Sequence, residues 1–227
     1  MLTEERSTYY PFEYPLANDY WLKQQQVHWF HTEVSLASDI NDYESKLTDT
    51  EKYVIETVLK TFTQTEIHVN DYWRDKVARW FPKPEIRDMC SAFCNMESVH
   101  TNAYSLLNQS LGITDYEAYL KDPIAKQKID NLVETTGEDI KSILKSLAVF
   151  SAFVEGVCLF SSFAILLHFS SRNLLKGISQ IISYSIRDES MHSEAGCWLY
   201  RTLLDESITK LDKNSKNEKF IQVNVFE

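Results

Sequence analysis

Between Ser146 and Phe169 the chain runs through 24 residues, SLAVFSAFVEGVCLFSSFAILLHF, with a single acidic side chain, Glu155, near the middle. Such a segment is long enough to cross a bilayer. It is equally the signature of a helix at the centre of a bundle, apolar all round except where it presents one working residue. An isolated carboxylate is costly in hydrocarbon, so the sequence reads as the second case, with no membrane partner. The rest of the chain supports a helical reading. Only 5 Gly and 5 Pro occur in 227 residues, and the last Pro is Pro123. Sheet-rich folds need many turns, and turns draw on Gly and Pro. One all-α domain over residues 1–227 is expected from length and pattern.

Composition removes several classes of function. With 44% apolar and 25% charged residues the chain is neither disordered nor fibrous. A formal charge of −10 repels phosphate backbones, so no nucleic-acid partner is expected. Cys90, Cys94, Cys158 and Cys197 form no C-x-x-C pair and no signal peptide precedes them. A reduced, cytoplasmic protein follows, with the cysteines acting as small buried apolar residues.

Along the chain, residues 1–20 read as an irregular arm and 21–34 as a helix with an aromatic face. The stretch LASDINDYESKLTDTEK is polar, and Thr48-Asp49-Thr50-Glu51 offers N-cap candidates. From there to about Arg79, Val54, Val58, Phe62, Ile67 and Val69 recur near helical spacing. Phe81-Pro82-Lys83-Pro84 breaks the pattern. Further helices are expected over 85–111, ending near Gly112, over 139–169 and over 173–204. A short helix with loops lies between 114 and 140, and residues 205–227 form a polar C-terminal segment.

Two tetrapeptides carry chemistry: Glu97-Ser-Val-His100 and Glu189-Ser-Met-His192. Residues three apart share a helix face, so each pair offers a carboxylate and an imidazole to one point. Two such helices, plus one inward Glu from each of two others, make the ligand set of a ferritin-like bundle with a buried dinuclear metal site. Glu155 is one of the remaining carboxylates and Glu66 the other. The gaps 66→97 and 155→189, of 31 and 34 residues, each fit one helix down and one back. Four carboxylates balance two divalent cations, as a buried site requires. Taken singly, each of these residues has a plainer reading as a salt bridge or a satisfied buried acid; their joint spacing carries the assignment. His28, His31, His68 and His168 have no carboxylate three residues before them and read as structural or exposed.

With these motifs the chain resembles the small (beta) subunit of class I ribonucleotide reductase, from the YPFEYP arm to CWLYRTLL. In that family a tyrosine four residues past the first Glu-x-x-His becomes a stable radical; here this is Tyr104, one turn beyond His100. The stretch Arg187-Asp188-Glu189-Ser-Met-His192 is similar to the family's R-D-E-x-x-H, and Trp29-x-x-x-Glu33-Val34 to its W-x-x-x-E-V. The resemblance implies that His100, Asp188 and Trp29 form the route by which the oxidising equivalent leaves. It implies a dinuclear centre held by Glu66, Glu97, His100, Glu155, Glu189 and His192, with Fe2 foremost and Mn2 or Mn/Fe open. Glu66 stands where many members have Asp, which alters reach at that metal. Leu159 and Phe163 share the face of Glu155 and would wall off Tyr104. Ser185 falls where the family usually has an apolar residue.

The implied activity is that of a radical-generating subunit. Oxygen, or a reduced form of it, is activated at the metals, Tyr104 is oxidised, and the equivalent passes to a large catalytic subunit that makes deoxyribonucleotides. A homodimer is implied. Only 35 residues follow His192, where the family continues into further helices and a docking tail, so a separate C-terminal polypeptide is a further expected partner. The rival readings are a di-iron oxygenase or desaturase, which would not need the Asp188–Trp29 route, and a ferritin-like iron-binding protein, which would lack the aromatic arm.

Overall fold

In this computed structural model, which describes residues 1–133 and 137–214, the breaker-poor sequence is helical and no strand occurs among the described residues. Helix α1 (Pro15–Gln26) starts within the expected arm, with Pro at its first turn, where a missing N–H costs nothing. It ends at Gln26, so the helix expected over 21–34 is corrected: Val27 to Phe30 form a link, and a 3₁₀ turn spans His31–Glu33. The polar stretch that follows holds an unexpected helix, α2 (Ala37–Ser45). Two of its three buried residues are acids, Asp39 and Asp42, beside Tyr43, which hid it from an apolar-periodicity reading. Asp39 accepts from Gly177 and Ile178 N–H, and Asp42 from Leu175 N–H, so α2 serves to cap another helix.

Thr48 caps α3 (Asp49–Asp71) in a capping box with Glu51. The rod continues through a π-helical segment, Tyr72–Val77, into α4 (Ala78–Trp80). Ile67 is 45% exposed and does not belong to the core. Helix α5 (Pro84–Ser110) ends in a Schellman motif: Gly112 adopts φ +72°, and Ile113 N–H reaches back to Asn108 C=O at 2.8 Å. Two short helices, α6 (Tyr116–Lys121) and α7 (Pro123–Val133), stand where one was expected.

The apolar rod begins with α8 (Ile140–Leu147), capped by Asp139. It widens into a π-helical segment over Ala148–Cys158 and ends as α9 (Leu159–Ser171). It is the one stretch among the described residues long and apolar enough to cross a membrane. Its Glu155 is nonetheless turned inward and fully buried. Helix α10 (Lys176–Asn214) runs ten residues past the expected end. The remainder of the expected polar segment, 215–227, lies outside the described residues. Of the cysteines only Cys90 is buried; Cys94 and Cys197 are half-buried and Cys158 is exposed, which corrects the reading of all four as core.

Two apolar clusters make the core, and the four rods pass between them. Along α3 the chain goes from Phe62 in the first cluster to Val69 in the second, and along α10 from Ile182 to Leu199. In α5 and the apolar rod the order is reversed, from Phe93 to Tyr104 and from Val154 to Phe163. The rods therefore form two antiparallel hairpins, as the 31- and 34-residue gaps require. Glu66, Glu97, His100, Glu155, Glu189 and His192 lie at the level where every rod crosses from one cluster to the other.

Candidate metal centre

Every one of the six predicted ligands is fully buried. Their donor atoms fall into two groups, each lying within 4.8 Å: Glu66, Glu97, His100 and Glu189, and then Glu97, Glu155, Glu189 and His192. Glu97 and Glu189 belong to both, while each group has one carboxylate and one histidine of its own. That is the arrangement of two adjacent cation sites bridged by two carboxylates.

Hydrogen-bond accounting shows how well cations fit it. Both carboxylate oxygens of Glu66 and one of Glu155 have no hydrogen-bond or ion-pair partner, while the unsatisfied atoms of Glu97, Glu189 and His192 meet only one another and His100 inside the cluster. Buried polar atoms are normally paired, and an orphaned carboxylate oxygen is among the costliest exceptions. Oxygen and imidazole donors, concentrated and short of partners, suit iron or manganese.

Electrostatics give the same picture. Burial, reinforced by the charges of Glu97 and Glu189, pushes Glu66 well above the usual carboxylate range. Burial does the same to Glu155, with Glu189 and Glu97 adding to it. For Glu97 burial also raises, but His192 and His100 outweigh it and hold the carboxyl low. Burial opposes the charged form of His192, yet Glu97 and Glu189 lift it to about 10. Without cations the cluster thus keeps itself tolerable by holding protons where positive charge is wanted.

Each histidine turns Nδ1 into the cluster. His100 Nδ1 lies 2.9 Å from Glu189 Oε1 and His192 Nδ1 lies 2.6 Å from Glu97 Oε1. The opposite nitrogens are held from outside. His100 Nε2 lies 3.1 Å from Asp188 Oδ2, and His192 Nε2 lies 3.0 Å from Gln24 Oε1. Gln24 also donates to Asp188 Oδ1 at 3.0 Å, so one network fixes both rings. Trp29 donates its indole N–H to Asp188 Oδ2 at 2.7 Å and stacks over His100. The three predicted route residues, His100, Asp188 and Trp29, are therefore joined by hydrogen bonds. On the other side Trp73 donates to Glu155 Oε1 at 2.8 Å.

Tyr104 is fully buried one turn past His100, with its ring 6.3 Å from the imidazole. Phe62 stacks on it at 4.8 Å, and Phe163 packs on Phe62 at 5.1 Å. Leu159 joins the same cluster. The phenol donates to Ser185 Oγ at 2.8 Å. Burial pushes the phenol well above its ordinary range, so it stays protonated.

Gln24, Trp73 and Phe62 were not foreseen. Trp73 lies seven residues after Glu66, and Phe62 four before it, so two helical turns of spacing from the ligand would have found both. Gln24 is one of three consecutive glutamines and carries no local signal.

Comparison with known proteins gives the chain's family and its fold relatives. A family model described as "Ribonucleotide reductase, small chain" matches residues 6–224. The chain is 32% identical over 224 residues to a probable ribonucleoside-diphosphate reductase small subunit of Invertebrate iridescent virus 6, covering 92% of this chain and 62% of that one. It is 29% identical over 213 residues to the ribonucleoside-diphosphate reductase small subunit of Dictyostelium discoideum, covering 88% of this chain and 60% of that one. The chain thus spans about three-fifths of the length of these relatives. Among solved structures, an R2-like ligand-binding oxidase variant with an Fe/Fe cofactor superposes with a TM-score of 0.73 at 17% identity, over 89% of this chain and 76% of that one. At that identity the likeness speaks for the fold.

Proposed function

The chain belongs to the ribonucleotide reductase small-chain family, and from that premise we propose that it generates and holds a one-electron oxidising equivalent for a large catalytic subunit that reduces ribonucleoside diphosphates. The observation that carries this reading is the joining of three parts in one buried core: a bridged pair of cation sites, Tyr104 beside them, and the His100–Asp188–Trp29 hydrogen-bonded line. A store for iron needs only the first part.

Glu66, Glu97 and His100 would hold one cation with Glu189, and Glu155 and His192 the other with Glu97 and Glu189. Bound iron or manganese would supply, with oxygen, the oxidising power that no side chain has alone. The protein's own residues do the rest. Asp188 and Gln24 keep each imidazole's Nδ1 aimed inward by holding Nε2. Phe62, Phe163 and Leu159 keep water from Tyr104. Tyr104 would give up one electron and its phenolic proton together to the oxidant that bound metals and oxygen supply. Trp29, hydrogen-bonded to Asp188, is placed to carry the equivalent onward. The large subunit and a second copy of this chain are the partners of this reading. A reducing, cytoplasmic setting accords with four free cysteines.

Electron paramagnetic resonance on iron- or manganese-loaded, oxygen-treated protein tests it. A tyrosyl signal is expected, and Tyr104→Phe should abolish it. A signal surviving unchanged in Tyr104→Phe would place the radical elsewhere. Substrate oxidation at the metals without any tyrosyl or metal-held oxidant would favour an oxygenase.

A further inference from the structure

The phenol of Tyr104 has one hydrogen-bond partner among the described residues, and it is a side chain that the ligand set and the exit route leave unused. Ser185 sits on α10 one turn before Glu189, as Tyr104 sits on α5 one turn after His100. Both side chains are fully buried, and the phenol O–H lies 2.8 Å from Ser185 Oγ. Away from the ligand layer their neighbours in the core are apolar: Phe62, Phe163, Ile181 and Ile182 belong with Tyr104 to one buried cluster. Thr63, another hydroxyl at this end of the core, is occupied by Leu59 C=O and Asn108.

We propose that Ser185 is a positioning residue for Tyr104, a hydrogen-bond partner built to serve the phenol before oxidation and the phenoxyl radical after it. A neutral phenol has a proton to give, and Ser185 Oγ accepts it. A phenoxyl oxygen has none and can only accept. A serine hydroxyl is both donor and acceptor, and it swaps roles by rotating about Cβ–Oγ, without moving a heavy atom. An apolar residue at 185 would leave the phenol oxygen buried and unpaired in either state. The bond also directs the phenolic O–H toward α10 and fixes the ring's oxygen at one distance from the ligand layer.

This inference rests on the radical reading only for its second half, so the experiment has two arms. In the metal-free protein, ultraviolet resonance Raman difference spectra against Tyr104→Phe isolate the Tyr104 phenol and report its hydrogen bonding. Ser185→Ala should shift the Tyr104 bands to those of a non-hydrogen-bonded phenol, and Ser185→Thr, which keeps the hydroxyl, should restore them. In the loaded, oxygen-treated protein, high-field paramagnetic resonance should show the largest g component of the tyrosyl radical move upward in Ser185→Ala and return in Ser185→Thr. Tyr104 bands unchanged in Ser185→Ala would overturn the proposal. So would a radical whose g component is the same in wild type and Ser185→Ala. Altered bands with no radical in any protein would support the positioning of the phenol and count against the radical reading instead. Circular dichroism of each variant, with Ser185→Thr as the second substitution, separates these outcomes from misfolding.

Discussion

Glu85 and Glu66 are both completely buried carboxylates on neighbouring rods, and they could hardly differ more in what surrounds them. Glu85 Oε1 accepts from Glu13 N–H at 2.9 Å, from Tyr14 N–H at 3.1 Å and from Arg6 Nη1 at 3.1 Å, and Arg6 Nη2 reaches Oε2. Burial would raise it, but these donors prevail and hold it below the usual carboxylate range. Glu66 has neither oxygen paired and is pushed the other way. The first is a clamp that ties the N-terminal arm to α5. The second has the free oxygens that a cation ligand needs. Burial alone does not separate the two roles; the count of unpaired oxygens does. Asp39 and Asp42, buried and occupied by backbone N–H groups at the start of α10, fall on the clamp side of that line.

Substitutions can pull the two classes apart. The largest effect should come from Glu97→Ala, because Glu97 belongs to both donor groups. Metal analysis after loading should show both metals lost or greatly weakened. Full loading of that variant would break the distinction. Next is Glu85→Ala, which takes the buried carboxylate from Arg6, leaving it the Thr8 and Tyr9 carbonyls, and unpairs two backbone donors. Breaking a buried pair costs about 3–5 kcal/mol, so urea denaturation of the metal-free protein should report a loss of that order. Metal stoichiometry should stay as in wild type, and a loss of metal would show that Glu85 is not merely a clamp.

Acidification gives a smaller and graded effect. Because the folded pKa of Glu85 is depressed, its contribution is fully present above the unfolded carboxylate value near 4.5 and is lost as pH falls through the lower folded value. Wild type should therefore weaken more steeply below about pH 4.5 than Glu85→Gln in the same denaturation series. Parallel curves would remove the clamp from the explanation. The smallest effect is expected at Thr48, whose side chain caps α3 and bonds only Glu51, a member of neither class. Thr48→Ala should cost about 1 kcal/mol by the same denaturation measurement and leave metal binding untouched.

The convergence of the candidate ligands is legible because helical spacing is written directly in sequence. Glu97 with His100, and Glu189 with His192, need only a regular turn to share a face, and Glu155 is conspicuous as the only acidic residue of its rod. What the spacing did not show is how regular helices are bent to the task. The π-helical segments at Tyr72–Val77 and Ala148–Cys158 depend on packing rather than on local pattern. Within the second, Ser151 packs so close to Gly196 that a Cβ there would meet its hydroxyl at 1.9 Å. Gln24 escaped because an amide turned inward looks, in sequence, like one turned outward. Helix α2 escaped for a related reason, since two of its three buried residues are aspartates whose partners lie more than 130 residues away. Ser185 was visible as a polar residue in an apolar place, but only the structure shows the phenol oxygen that it meets.

The most direct test is a metal count on Glu155→Ala beside the wild type, each loaded anaerobically with Fe(II) or Mn(II) and freed of loosely bound ions. Glu155 belongs to one donor group and not the other. Wild type should hold two metals per chain, and Glu155→Ala should hold one tightly, with the group built on Glu66 and His100 intact. Two tightly held metals in Glu155→Ala, or fewer than two in the wild type, would contradict the assignment of these buried carboxylates as a bridged pair of cation sites.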